Sequence, residues 1–462
     1  LSAKYPDTRG FWRGEKFVLR TALDRDSIER YFLCEYNPTP ILAPWNGGSG
    51  FYEKDNKTAI NAILESTDPR FSLYRVCLKI ADKALDGIDR SGSPKDDKKK
   101  KKAIQLRVRA LMPDDVLPWF DAAVRLAGEA KPQYPPLLGT GGNDGHLDFT
   151  NNFMQRLVDV LLSKPKKPGS NTANWLTQAL FGQPVPGLIK SAIGQFSPGQ
   201  VGGPNATTGF EANSVINPWD YVLMIEGALS FASAAVRRHA DDPAGVMAYP
   251  FTVKNVEAGS GAVGEGDAAN ARGELWMPLW SAPATYTEVR ALMTEGRVAL
   301  GRKPARNALD FVRAVHRLGA YRGVRGFQRF GLLKRSGKAY LATPLGRVDV
   351  SDRPQSRWID ELDGQNWLER FHKFGCDKHS ANRFHVLRKR LEDRLFELSG
   401  REPRSAEVQA LLILLGEIQS AVARSAKAQE AVPPVPRLSE RWVIAADDGT
   451  PEFRIAKAPV SY

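Results

Sequence analysis

Tyr321-Arg-Gly-Val-Arg-Gly-Phe-Gln-Arg-Phe-Gly-Leu-Leu-Lys-Arg-Ser-Gly-Lys338 threads cations through a run of strand-forming apolar residues. Residues 327–334 and 338–343 read as two strands joined at Arg335-Ser-Gly337, a hairpin. Immediately before it, residues 304–321 repeat with helical period. Ala308, Phe311, Val312, Val315 and Leu318 share an inward face, with Arg306, Arg313 and Arg317 outward. A helix leading into an antiparallel hairpin, in a chain with a helical section late on, gives an α+β fold class.

The same stretch carries the charge. From Arg297 to Arg347 there are 13 Lys and Arg against one acid, Asp310. That block is +12 in a chain of net charge +13, so everything else is close to neutral. A neutral protein with one basic patch has a directional partner, and phosphate backbone is the commonest of that kind. Within the block, Arg306, Arg313, Arg317, Arg322, Arg325, Arg329, Lys334, Arg335, Lys338 and Arg347 are the candidate phosphate contacts. Cations neutralise phosphates, glycines admit a backbone, and aromatics stack on splayed bases. The competing reading is a solvated strand face with Phe327 and Phe330 in the core.

Working outward, 462 residues suffice for several domains, and 42% hydrophobic with 25% charged residues allows real cores. The reading divides the chain into an N-terminal α/β part (1–135), a Gly/Asn-loop and buried-helix part (136–296), the basic helix and hairpin (297–350), and a helical pair with a terminal β-hairpin (351–462). Residues 16–20 read as a strand, and 23–35 as a helix entered through Asp24. Helices are expected at 56–65, 72–85 and 173–181, and one opening in the lysine run 98–102. Asn217-Pro218 starts a helix expected to reach 236. Gly273-Glu-Leu-Trp-Met-Pro-Leu-Trp280 reads as a strand that Pro278 confines to an edge or an end. Residues 259–271 read as a mobile loop. Residues 382–398 and 405–426 read as an antiparallel helix pair, and 442–446 with 452–456 as a hairpin around Asp448-Gly449. No apolar run looks long enough to span a bilayer, and the chain opens at Leu1 without a charged-then-apolar segment, so no secretory signal is visible. With three cysteines and no disulfide framework, a cytoplasmic protein without a membrane partner is expected.

Two glycine-rich loops invite a functional reading. Trp45-Asn-Gly-Gly48 offers an indole to wedge, an amide to read a base edge, and glycines to clear space. Leu138-Gly-Thr-Gly-Gly-Asn-Asp-Gly145 leads into a helix capped by Thr150 or Asn151. It is no P-loop, because His146 and Leu147 follow Gly145 and Asp144 would repel phosphate. What stays open is a set of plain glycine corners or a surface that nucleic acid approaches. Trp45, Asn46, Gly47, Gly48, Asn143, Asn151 and Asn152 are the candidate readers.

Catalytic and metal signals are weak. His372, Cys376, His379 and His385 lack the paired doublets of a structural zinc site, so no metal and no cofactor are assigned. The pairs Asp96-Asp97, Asp114-Asp115, Asp241-Asp242 and Asp447-Asp448 sit at helix starts and corners. Glu226, within an apolar helix, reads as a core ion pair or hydrogen bond. The chain is therefore read as no enzyme. The alternatives are a metal-dependent nuclease or phosphotransferase, and a scaffold touching only protein.

Several stretches, in order, resemble the large subunit of the type I-G (formerly I-U) CRISPR-Cas interference complex, Cascade. They are Pro38-Thr-Pro-Ile-Leu-Ala-Pro-Trp-Asn-Gly-Gly-Ser-Gly-Phe51, Leu137-Leu-Gly-Thr-Gly-Gly-Asn-Asp-Gly145, Leu147-Asp-Phe-Thr-Asn-Asn-Phe-Met-Gln-Arg156, Asn217-Pro-Trp-Asp-Tyr-Val-Leu-Met-Ile-Glu-Gly-Ala-Leu229, the 273–280 strand and Gly326-Phe-Gln-Arg-Phe-Gly-Leu-Leu-Lys-Arg335. The likeness runs from about residue 9 to 347. It implies partners: CRISPR RNA, double-stranded target DNA, the backbone and handle-binding Cascade subunits, and a separate helicase-nuclease. It also implies a role in recognising the protospacer-adjacent motif, opening the duplex into an R-loop and recruiting the nuclease. Members are longer, with sequence before Leu1 and a helical region after the end.

Overall fold

The computed structural model describes residues 1–94, 97–126, 132–144, 147–162, 171–191, 215–232, 234–236, 246–253, 272–294, 296, 299–300, 303–305, 307–318, 323–335, 339–350, 358–400 and 402–457. The loop expected at 259–271, the pair Asp241-Asp242 and much of 163–213 lie outside them.

The fold is α+β: many helices and several small antiparallel sheets. The largest sheet orders its strands Ala339–Asp349, Val324–Arg335, Gly273–Trp280 and Thr252–Val253, all antiparallel. The hairpin is present and longer than its sequence signal, with Phe327 facing Val348 and Lys334 facing Tyr340. A bulge between Arg329 and Phe330 shifts the register. Pro278 is tolerated on an inner strand because Thr252–Val253 is short and pairs only at Glu274 and Leu275. Gly273–Trp280 pairs with Val324–Arg335, so the sheet joins residues on both sides of position 297.

Helix Ala308–Leu318 packs its apolar face on this sheet. Phe311 stacks on Trp276 with ring centroids 4.2 Å apart and meets Phe327 edge-on at 5.3 Å. Ala308, Phe311, Val312 and Val315 are buried as their spacing dictates. Helix Asn382–Gly400 closes the same layer through Phe396, whose ring lies 6.5 Å from Trp276. It also packs against helix Ser405–Ala423, as the expected helix pair does.

Elsewhere the local chemistry chooses the elements. Strand Lys16–Arg20 pairs with Arg9–Arg13, a partner the sequence did not announce. Asp24 caps helix Arg25–Arg30 by accepting from Ser27 N–H, and the chain continues as a wider turn over Tyr31–Glu35. Helices Thr58–Glu65, Ser72–Ala84, Lys98–Leu111 and Thr172–Phe181 stand where expected. Asn217 caps helix Pro218–Ala228 through Trp219 N–H. That helix stops at Ala228, next to the poor helix former Gly227, and passes through the Leu229–Phe231 turn into strand Ala234–Val236 rather than continuing to 236.

Two further expectations are corrected. Asp148, not Thr150 or Asn151, caps helix Phe149–Leu157, its Oδ1 accepting from both backbone N–H groups and the Thr150 hydroxyl. The terminal β-hairpin is instead two helices, Glu440–Ala446 and Pro451–Lys457. Its Asp-Gly turn is a helix connection: Asp448 holds Thr450, Thr450 Oγ1 accepts from Phe453 N–H, and Pro451 occupies the first turn. Trp442 is buried and donates to Glu361 Oε2. Among the described residues one helix, Ser405–Ala423, is long and apolar enough to cross a membrane by length and composition. Val408, Leu411, Leu414, Leu415, Ile418 and Val422 form its buried stripe.

Candidate nucleic-acid interface

Burial separates the cations of the hairpin. Phe327 and Arg329 are two residues apart on one strand, so both point into the layer with the helices. Arg329 is buried, and its Nε donates to Glu274 Oε1 at 2.6 Å across the strand pair. The guanidinium lies between the rings of Trp276 and Phe396, 5.0 and 4.4 Å from their centroids. Burial pushes the Glu274 carboxyl up while Arg329 opposes it. Arg313, expected outward, is also buried, with Nη2 2.9 Å from Asp360 and 3.3 Å from Asp363. These two arginines hold the fold and are withdrawn as phosphate contacts.

Three block cations reach solvent among the described side chains: Arg325, Lys334 and Arg347. Arg325 and Arg347 lie toward one end of the hairpin. Arg347 sits opposite Gln328 and reaches Asp349 at 3.1 Å, an exposed pair worth little. A side chain on Gly326 would crowd Asp349 and the Arg347 guanidinium, so this glycine clears space for the protein's own pair. Lys334 lies at the other end beside Tyr340. The nine steps along the strand from Arg325 to Lys334 extend roughly 30 Å. The side chains of Arg306, Arg317, Arg322, Arg335 and Lys338 lie outside the described residues.

The two glycine loops meet each other. Trp45 is fully buried and its Nε1 donates to Gly141 O at 2.8 Å, so no indole is offered to a base. Asn46, also buried, donates to the same carbonyl at 2.8 Å. Asn143 Nδ2 donates to Gly47 O, and Asn151 Nδ2 to Gly48 O and Asn56 O. Asn152 is half-buried beside Tyr221. Gly141, at φ +82°, has Trp45 Nε1 about where a side chain would go, and Gly47 has Ser93 there. The amides are spent on holding the loops together, and the cleared space is filled from within. This corrects the reading of Trp45, Asn46, Asn143 and Asn151 as exposed base readers; of the loop, Gly48 faces solvent and Gly47 partly so.

One lysine that the sequence reading missed ties the loops further. Lys101 Nζ donates to Asn46 Oδ1 at 3.0 Å and to Thr140 O at 2.9 Å, over the Tyr134 ring. Burial pulls its pKa down to about 8. The signal was there: Lys101 shares a helix face with the buried Ile104, Gln105 and Val108. Asp144 in turn tethers the loop to the sheet, accepting from Arg272 Nη2 at 2.6 Å and Tyr340 N–H at 3.2 Å, while Arg272 covers the Tyr340 ring at 3.9 Å. Asp144 is therefore neutralised locally rather than facing solvent as a repellent charge.

Among the described residues, Glu226, Asp97, Asp114 and Asp115 match their turn and hydrogen-bond readings; Asp96 lies outside those residues. Glu226 accepts from Tyr36 Oη, Thr39 N–H and Thr39 Oγ1 at 2.6–2.9 Å. Asp97 caps helix Lys98–Leu111, and Asp114 and Asp115 open a short turn. Among the described residues no three His, Cys, Asp or Glu side chains are arranged to hold a metal ion. The chain matches no model of a known protein family and no curated protein.

Proposed function

We propose that the chain is a non-catalytic, cytoplasmic large subunit of a CRISPR RNA-guided type I interference complex, and that the hairpin Val324–Arg335/Ala339–Asp349 grips nucleic-acid phosphate. The observation that carries the grip is the placement of Arg325 and Arg347 at one end of a roughly 30 Å ribbon and Lys334 at the other. That length spans about nine phosphates along one strand. The ribbon is stiffened from behind by the buried Arg329–Glu274 pair, so its cations are presented on a rigid element. The block's excess of cations, less Arg313 and Arg329, whose charges are met by Asp360, Asp363 and Glu274, supplies the long-range attraction.

The CRISPR assignment rests on the sequence resemblance between about residues 9 and 347. Under it, the partners are CRISPR RNA, double-stranded target DNA, the backbone and handle-binding subunits and a recruited helicase-nuclease. Recognition of the flanking motif and R-loop formation belong to the whole complex, and Trp45, Asn46, Asn143 and Asn151 support it by keeping two loops joined. Co-expression with such subunits, purification and sequencing of the bound RNA tests the assignment. A repeat-derived small RNA is the predicted result. Purification without nucleic acid, or magnesium-dependent DNA cleavage by the chain alone, would contradict it; the second outcome would favour the metal-dependent nuclease.

A further inference from the structure

We propose that Cys376, His372 and Glu392 form a thiol-activating triad that makes Cys376 a site of reversible thiolation by low-molecular-weight disulfides such as oxidised glutathione. Cys376 ends helix Trp367–Gly375, and its Sγ lies 3.7 Å from His372 Nε2, one turn back on the same face. The other ring nitrogen, Nδ1, is 2.6 Å from Oε1 of Glu392 on helix Asn382–Gly400. Glu392 is buried, and its second oxygen accepts from Arg388 Nη1 at 2.7 Å. Gly375 makes this possible. A side chain there would meet the Arg388 stem at 2.8 Å, so glycine lets that arginine lie across the helix end. The arrangement is thus a nucleophile, an imidazole within reach, and a carboxylate that orients the imidazole.

Burial opposes a charge on His372, but hydrogen bonds to Cys376 and Glu392 outweigh it and raise its pKa to about 10. An imidazolium therefore faces the exposed Cys376 sulfur at neutral pH, placed to give its proton to a departing thiolate. The surrounding charges are Lys373 on the same helix, Asp377, Lys378 and His379 in the following loop, Arg388 and Glu392 from the neighbouring helix, and Lys427, which holds Asp377 and the His379 carbonyl.

The location selects the chemistry. Acyl transfer requires N–H donors aimed at a developing oxyanion. A helix C-terminus presents carbonyl oxygens instead, and the Cys376 N–H already donates to His372 O at 3.0 Å. Thiol–disulfide exchange develops no oxyanion. The Cys376 thiolate attacks one sulfur of the disulfide, a new S–S bond forms as the old one breaks, and the leaving thiolate takes the proton from His372 Nε2. The small disulfide is the oxidant, and one of its halves departs as thiol.

The chain supplies its own controls: Cys34 is exposed with no imidazole against it among the described residues, and Cys77 is buried. The full chain is incubated with oxidised glutathione near neutral pH and adducts are mapped by peptide mass. Cys376 is expected to react roughly tenfold faster than Cys34, with Cys77 untouched. His372→Gln should bring Cys376 down to the Cys34 rate and leave Cys34 unchanged. Equal rates at Cys376 and Cys34 in the unsubstituted protein, or a Cys376 rate that survives His372→Gln, would overturn the proposal. If the substitution unfolds the protein, Cys77 becomes modified and reports it, and the comparison within the unsubstituted chain then decides.

Discussion

Arg329 and Arg347 come from the same basic block, and burial separates them. Arg329 sits in an ion pair closed off by Trp276 and Phe396. Removing one partner of such a pair strands a buried charge, so Arg329→Met or Glu274→Leu alone is expected to cost about 3–5 kcal/mol. The double substitution should recover much of that loss, and chemical denaturation measures all three. Asn46 carries a second prediction. Asn46→Ala removes an acceptor from Lys101 and a donor from Gly141 O, which should cost about 1–3 kcal/mol of stability. Any effect on DNA should then be the same for all flanking sequences; a change in flank discrimination at unchanged stability would return Asn46 to the role of reader. Part of this was legible in the sequence, since Phe327 and Arg329 share parity on a strand; Arg325, of the same parity, escapes because the register shifts between Gly326 and Val324. Arg313 was legible only in part: Asp310, one turn away, lies 4.0 Å from it, but Asp360 and Asp363 lie about fifty residues further along the chain.

At the scale of elements, short-range chemistry was the readable part. The Asn217-Pro218 start, the Asp24 cap, the helix pair and the hairpin all follow from local signals. The C-terminal hairpin failed because Asp-Gly followed by Thr-Pro suits a helix connection as well as a strand turn, and only burial of Trp442 beneath helix Ser405–Ala423 decides. The contact between helices Trp367–Gly375 and Asn382–Gly400 carries a pH prediction. His372 rises from 6.5 to about 10 on folding. The folded state therefore holds a proton that the unfolded state releases between those values, and stability from this site falls as pH rises through that window. The stability difference between the natural chain and His372→Gln should be largest below about pH 6.5 and shrink toward pH 10. A difference that grows with pH would mean that His372 is held neutral.

Over the whole molecule, a chain neutral outside one block presents that block's cations unevenly. Some are fold-holding ion pairs, and others stand at the two ends of a stiff ribbon. The glycine loops, which looked like the most function-bearing sequence, are joined to one another by Lys101 and tethered to the same ribbon through Asp144. Backbone chemistry visible in sequence thus gave the loops their glycines and amides, while the partner those groups serve was internal. The central claim is the grip, and the salt dependence of DNA binding tests it most directly. With Arg325, Lys334 and Arg347 all changed to Ala, three phosphates go without a cation, and the slope of log affinity against log salt is predicted to flatten by about 2.7. An unchanged affinity and an unchanged slope would contradict it.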